Sequence, residues 1–217
     1  MHIRTEAVRF TLFSLYNPSV NLYLVSRFSW EMSMLKNSKS SYGWVAILVH
    51  WLMALGVFGL FGLGVYMVEL TYYDAWYKGS LDLHKSVGIT LAALLLFRFG
   101  WRLLGTQPEP VAGSSKAMNH VAHSVHKLIY LALIVIVTSG YLISTADGRA
   151  IEVFNLFAVP ALPESVANQE DIAGKIHFYA AYGLIAVVVL HALGALKHHF
   201  IDKDKTLIRM IKPLKDD

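Results

Sequence analysis

Three stretches of the chain stay apolar, without a charged residue, for long enough to cross a lipid bilayer. Trp44 to Val68 is 25 residues with no Asp, Glu, Lys or Arg, and His50 is its one notable polar intrusion. At about 1.5 Å of helical rise per residue this run exceeds the roughly 30 Å of a hydrocarbon core. Leu128 to Ala146 gives 19 uncharged residues after Lys127, and Ile176 to Leu196 gives 21 between Lys175 and Lys197. The fourth apolar run, Ser86 to Phe97, has only 12 residues between Lys85 and Arg98. That length also suits a helix buried in a soluble core. Leu81 to Leu104 nevertheless reads as one helix whose end charges reach the interface along their alkyl stems. The pattern predicts an all-α integral membrane four-helix bundle.

The connecting segments set its orientation. With the N-terminal flank inside, the inner segments hold 12 basic residues: Lys36, Lys39, Arg98, Arg102, Lys116, Lys127, Lys197, Lys203, Lys205, Arg209, Lys212 and Lys215. The two outer loops hold four, Lys78, Lys85, Arg149 and Lys175. Excess Lys and Arg on one side marks the cytoplasmic face, so both ends of the four-helix domain are expected there. Tyr66, Tyr72, Tyr73, Trp76 and Tyr77 gather at one outer boundary, and Trp44 and Trp101 sit at inner ones, as interfacial aromatics do.

Composition agrees. Of 217 residues 55% are apolar and 16% charged, against roughly 25% charged in soluble domains. There is no cysteine, which excludes disulfides, thiolate zinc sites, iron–sulfur clusters and covalent attachment of a c-type haem. Metal chemistry falls to the 10 histidines and 15 carboxylates. No internal repeat, phosphate loop, dinucleotide-binding glycine motif or zincin motif is present, and nothing suggests a nucleic-acid partner. Gly56, Gly59, Gly62 and Gly64 fall inside the first span, where small residues mark close helix or cofactor contact. Residues 1–33 are set apart as a doubtful extension. Met34-Leu-Lys-Asn-Ser-Lys reads as a basic lead into the first span, so a start at Met34 is one expectation and an interfacial N-terminal arm the other. The functional domain is then 34–217.

Ionisable groups at membrane depth are costly and are read first as functional. His177 and His191 are 14 residues apart, which returns the side chain to within about 40° of the same helix face after about 21 Å. That spacing places one imidazole near each side of the bilayer, as two stacked haems require. His50, about 9 Å into the first helix from the inside, matches His191 in depth. His84, at the outer opening of the second helix, matches His177. Two bis-histidine sites follow, His50 with His191 inside and His84 with His177 outside. Such sites have no open position and move single electrons. Gly88, Ala54, Ala180, Ala181 and Gly194 stand one helical turn from these ligands, where a porphyrin needs small neighbours.

Other polar groups carry secondary expectations. His120, His123 and His126 form a row drifting about 60° per step. They are read first as lining a wet interface, with metal binding or contact to haem propionates as the alternatives, and His126 is the rival ligand at the inner site. Arg98 and Arg102 are candidate partners of haem propionates or interfacial anchors. Lys197 and His198, beyond His191 on nearly its face, are a candidate quinone site or snorkelling anchors.

Several motifs resemble one family. His50-Trp51, Leu83-His84-Lys85-Ser86-Val87-Gly88, Ala122-His123-Ser-Val-His126-Lys-Leu-Ile-Tyr130, Ile176-His177 and Leu190-His191 are similar to those of bacterial cytochromes b561. So is the tail from Leu196-Lys-His-His-Phe through Thr206-Leu-Ile-Arg-Met210. The resemblance runs from about Ser41 to Met210. The four-helix plan and the histidine spacing also resemble the cytochrome b subunits of hydrogenases and formate dehydrogenases. The resemblance implies an inner-membrane protein with two haem b groups, ligated by His50, His84, His177 and His191. It would relay electrons between a periplasmic donor, whose identity is open, and the quinone pool, ubiquinone among the candidates.

Some members are superoxide:ubiquinone oxidoreductases, so enzyme and pure electron carrier both stand as readings. The outer loops hold eight acidic residues (Glu69, Asp74, Asp82, Asp147, Glu152, Glu164, Glu170 and Asp171) against four basic ones. A net negative mouth slows an anion's approach. A third reading is a haem-free membrane protein whose histidines bind another metal or shuttle protons.

Overall fold

The computed structural model describes residues 34–162 and 167–214. The expectations about residues 1–33, and the charges on Glu164 and Lys215, lie outside the described residues. Within them, four helices are long and apolar enough to span a membrane: α1 (Trp44–Met67), α2 (Tyr77–Leu104), α3 (Lys116–Ser144) and α4 (Gln169–Phe200). The mean hydropathy of their most apolar windows is 2.1, 1.6, 1.9 and 1.9, so the second span is the least apolar but a full span all the same.

α2, α3 and α4 begin before the apolar runs that announce them, whereas the first helix starts with its run at Trp44. α3 begins at Lys116 because Ser115 caps it, its hydroxyl accepting from the Met118 N–H at 3.2 Å. Three polar turns therefore precede the apolar segment, and these carry His120, His123 and His126. α2 begins at Tyr77, so His84 lies two turns inside the helix and not at its opening. α4 starts with Glu170 and Asp171 in its first turn and ends with Lys197, His198 and His199 in its last. This charge order complements the helix dipole at both ends.

α1 packs along α2, and α3 along α4, with a lighter contact between α2 and α3. α4 faces both α1 and α2 across the bundle: Phe61 of α1 meets Tyr182 of α4 edge-on with centroids 5.1 Å apart, and histidines of α1 and of α2 each face one on α4. The leucine-rich centre of the bundle comprises Val49 and Met53 from α1, Leu91 and Leu95 from α2, Leu133 from α3 and Leu184 from α4. Leu184 stands seven residues from both His177 and His191, about 10 Å along the axis each way. This buried apolar cluster thus reaches between the two histidine pairs. Outside it, Leu55, Leu96 and Leu190 are exposed, as lipid-facing side chains are.

The loop between α3 and α4 folds into a hairpin that hydropathy does not announce. β1 (Ile151–Val153) pairs antiparallel with β2 (Phe157–Val159), Ile151 opposite Val159 and Val153 opposite Phe157. Its turn puts Phe154 and Asn155 at φ 50° and 57°, a region Asn tolerates and Phe rarely enters. The cost is met by anchoring. Phe154 N–H donates to Ser86 Oγ at 3.0 Å, and Ser86 Oγ donates to the Glu152 carbonyl at 3.4 Å. Ile151 and Val153 are buried. The hairpin is therefore clamped onto α2 two residues from His84.

Candidate functional site

Two pairs of imidazoles face each other across the bundle. The rings of His84 (α2) and His177 (α4) have centroids 6.2 Å apart, inclined at 66°. Those of His50 (α1) and His191 (α4) are 6.3 Å apart, inclined at 63°. A metal–imidazole bond is about 2.0 Å and the nitrogen lies about 1.1 Å from its ring centre, so two rings on opposite sides of one metal sit about 6.2 Å apart. Both pairs have that separation. Ring planes sharing a metal axis are free to rotate about it, so inclinations near 65° are compatible.

The outer pair opens onto a cavity of about 340 Å³ lined by His84, His177, Gly64, Gly88, Gly140 and Ala181, with Ile151 of the hairpin and Lys85 at its edge. This is within the usual range for a cofactor pocket, and its walls are almost wholly apolar. The glycines that touch the rings come from the facing helices. A Cβ on Gly140 would lie 3.0 Å from His177 Cε1, and one on Gly64 would lie 3.4 Å from His84 Cε1. Because Gly140 has no side chain, the His177 ring reaches the α3 backbone. Its Nδ1 donates to the Ile136 carbonyl at 3.0 Å, and Ser139 Oγ lies 3.2 Å away. A carbonyl only accepts, so Nδ1 carries the proton and Nε2 keeps its lone pair, as a metal ligand must. His84 Nδ1 is buried with no hydrogen-bond partner among the described residues.

The inner pair has different company. Arg98 Nη2 approaches His50 Nδ1 at 3.4 Å, its Nε donates to the Tyr130 hydroxyl at 3.1 Å, and its Nη1 donates to the Ala46 carbonyl at 3.4 Å. Arg98 and Arg102 line a small pocket of about 30 Å³ with Tyr42, Trp101 and Tyr130. His126 lies nearer His191 than His50 does, at 5.1 Å between centroids. That is about an ångström short of the separation two opposed ligands need. His120 and His123 are exposed, in keeping with a wet interface.

At the inner end of α4, Lys197 Nζ meets both oxygens of Asp202 at 2.9 and 2.7 Å, and His198 Nδ1 meets Asp204 Oδ2 at 2.7 Å. Burial works against the charge on Asp204, but hydrogen bonds from Thr206 and His198 outweigh it and hold its carboxyl below the ordinary 3.8. These carboxylates escape a hydropathy reading because they lie beyond the span. Gly64 is among the first-span glycines expected to mark close contact, and it does approach His84; Gly140 and Ser139 escape a sequence reading because their importance depends on how neighbouring helices are rotated. Of the small residues one turn from each ligand, Gly88 and Ala181 line the outer cavity, whereas a Cβ on Gly194 would meet nothing within 4 Å.

Residues 41–213 match the family described as prokaryotic cytochrome b561. The chain is 46% identical over 175 residues to cytochrome b561 homolog 2 of Escherichia coli K12, covering 81% of this chain and 93% of that one. It is 30% identical over 175 residues to the probable superoxide oxidase CybB of Yersinia pestis, covering 78% and 95%. It is 29% identical over 131 residues to cytochrome b562 of Cereibacter sphaeroides, covering 60% and 67%. The four spans, the histidines facing across them and the match over nearly all the described residues lead to one assignment: the chain belongs to the prokaryotic cytochrome b561 family, as a multi-pass b-type electron-transfer cytochrome of the bacterial inner membrane.

Proposed function

We propose that the protein binds two haem b groups, one between His84 and His177 and one between His50 and His191, and relays electrons between a donor at the outer face and the quinone pool at the inner. The observation that carries this is the equal separation of the two ring pairs, 6.2 and 6.3 Å, each the value for two imidazoles sharing one metal. The 5.1 Å between His126 and His191 favours His50 over His126 as the inner ligand. When bound, haem with two histidine ligands supplies one-electron oxidation and reduction without an open coordination position.

The chain's own residues do the rest. Gly64 and Gly140 leave room beside the outer rings, and the Ile136 carbonyl fixes the His177 tautomer. The Ser86-anchored hairpin covers the outer end of the cavity through Ile151. The apolar cluster around Leu184 fills the interval between the two sites. Arg98 and Arg102 line a basic pocket suited to propionate carboxylates.

Reducing a quinone to its quinol takes two electrons and two protons. At the inner end, Asp204 accepts from His198 Nδ1, leaving the Nε2 lone pair to take up a proton from the inner face and then pass it to a quinone oxygen. Lys197, paired with Asp202, supplies charge beside it.

Haem content tests the reading. Pyridine haemochrome analysis of the purified protein is expected to give two b haems per chain, with a b-type alpha band on reduction. One haem, or none, rejects it, and the absence of any alpha band would favour a haem-free metal or proton role.

Superoxide is the second candidate donor, because a relative is named a probable superoxide oxidase and Lys85 edges the outer cavity. Against it stands the acidic excess of the outer loops. Stopped-flow oxidation of superoxide decides. A rate near the diffusion limit that falls with added salt makes Lys85 the attractor, whereas slow oxidation that quickens with salt leaves superoxide as a poor substrate.

A further inference from the structure

The two histidine pairs are nearly identical in ring geometry and opposite in what stands behind the rings. We infer that Arg98 and the Ile136–Ser139 turn are tuning residues that split the two midpoint potentials, the inner site being the more oxidising. This deepens the proposed function and rests on its assignment of one haem to each histidine pair.

At the outer site, His177 Nδ1–H donates to the Ile136 carbonyl at 3.0 Å, with Ser139 Oγ at 3.2 Å. The hydroxyl hydrogen of Ser139 is drawn toward the Val135 carbonyl at 2.7 Å, which leaves its oxygen to accept from the imidazole. A ligand histidine whose second nitrogen donates to good acceptors is more basic, so it favours the more positive, oxidised iron. No side-chain cation is bonded to either outer imidazole among the described residues. The outer midpoint is thereby lowered.

At the inner site the arrangement is reversed. As the ring stands, Arg98 Nη2 can only donate to His50 Nδ1 at 3.4 Å; when Nε2 instead gives its lone pair to a metal, Nδ1 bears the proton and has the guanidinium, not an acceptor, beside it. Arginine has no acceptor and keeps its charge at all working pH values. The acceptor nearest in sequence, the Ala46 carbonyl one turn before His50, is taken by Arg98 Nη1. The Tyr130 hydroxyl holds the guanidinium from α3. A fixed cation in a low-dielectric setting is weakly screened, and it favours the less positive, reduced iron. The conclusion is the same where Arg98 pairs with a propionate, because losing it would leave that carboxylate's negative charge uncompensated beside the iron. Arg98 therefore raises the inner midpoint. A rise in midpoint from the outer to the inner site favours a donor outside and an acceptor inside.

Potentiometric titration followed by absorbance tests this in the purified, haem-loaded protein. His50→Ala and His84→Ala, each losing one site, assign the two midpoints. The expected result is a higher inner midpoint. Arg98→Gln should lower that one alone by about tenfold in the one-electron equilibrium, about 59 mV, and Arg98→Lys should restore most of it. Ser139→Ala should raise only the outer midpoint, by less, since the Ile136 carbonyl remains.

An outer midpoint at or above the inner one overturns the inference, as does an inner midpoint indifferent to Arg98→Gln. Equal shifts in Arg98→Gln and Arg98→Lys also overturn it, because they would report packing rather than charge. If Arg98→Gln cannot hold its inner haem, the Arg98→Lys and Ser139→Ala midpoints decide: Ser139→Ala leaving the outer midpoint unmoved counts against the inference. A wild-type protein with fewer than two haems defeats the proposed function itself, an outcome distinguishable from all of these.

Discussion

Trp51 donates its indole N–H to the Met210 carbonyl at 2.6 Å, joining the first helix to the C-terminal tail across 159 positions of sequence. Its ring also meets the His50 ring edge-on, with centroids 5.3 Å apart. The bond is one of several that knit the inner surface together. Leu214 N–H donates to Ser41 Oγ at 2.8 Å, Arg209 Nη1 to the Glu109 carbonyl at 2.8 Å, and Glu109 N–H to the Lys39 carbonyl at 2.8 Å. The tail, the lead into α1 and the α2–α3 loop thus close over the turn that carries His50.

Removing the indole donor should loosen this strap without dismantling the bundle. A net hydrogen bond contributes about 1 kcal/mol, roughly fivefold in the open population. Trp51→Phe keeps the ring contact with His50 and loses only the donor. Trypsin is expected to cut after Lys205 or Arg209 several times faster than in the wild type, with the haem spectrum little changed. Equal cleavage rates would show that the tail is held elsewhere.

The Asp204–His198 contact gives the strap a pH dependence of known sign. Asp204 is held below the ordinary carboxylate value of 3.8, burial being outweighed by bonds from Thr206 and His198. A depressed folded value means the ionised form is preferred in the docked tail. Its contribution is present above pH 3.8 and lost as pH falls through the lower folded value. Pepsin digestion between about pH 5 and pH 3 should release tail fragments increasingly as pH falls. In Asp204→Asn release should already be raised at the upper end and change less across the window. Parallel curves for the two proteins would assign the dependence to other groups.

The spans were legible because hydrophobicity over a long window is a property of one segment, and the membrane reads it the same way. Helix starts were not, because polar first turns such as Lys116 to His126 stand outside the apolar run and depend on the Ser115 cap. The pairing of His177 with His191 on one face followed from helical period alone. Which groups stand behind those rings did not. Arg98 beside His50 and Ile136 with Ser139 beside His177 depend on the rotation of one helix against another, which no single helix's periodicity encodes. The small residues show the same division. Those one turn along the ligand's own helix, and Gly64 among the glycines of the first span, were foreseeable, while Gly140, on the helix facing His177, was not.

Gly140 and Gly64 should differ in tolerance. A Cβ at Gly140 would stand 3.0 Å from His177 Cε1 and 3.2 Å from Nδ1, so the ring must move, whereas at Gly64 the nearest approach is 3.4 Å, an ordinary contact. Gly140→Ala forces a shift in a ring that is tied to the Ile136 carbonyl, and such overpacking costs about 1–3 kcal/mol. Its expected outcome is weaker or displaced outer-site absorbance with the inner site intact. Gly64→Ala should bind both haems normally. If Gly140→Ala is spectroscopically silent, the His177 ring is not confined as described.

The sharpest test of the inner site is the contrast between His50 and His126, since both face His191. Their centroids lie 6.3 and 5.1 Å from it, and only the longer separation leaves space for a metal held from opposite sides. His50→Ala should reduce haem content from two per chain to one, as should His84→Ala, His177→Ala and His191→Ala. His126→Ala should keep two, with at most a small band shift, because it removes a neighbour and not a ligand. Haemochrome stoichiometry reads this directly, and the thermal midpoint in detergent checks that each variant is folded. Should His126→Ala lose one haem while His50→Ala keeps both, the inner ligand from outside α4 would be His126. Arg98 would then face a bystander imidazole, and its effect on the inner midpoint would shrink accordingly.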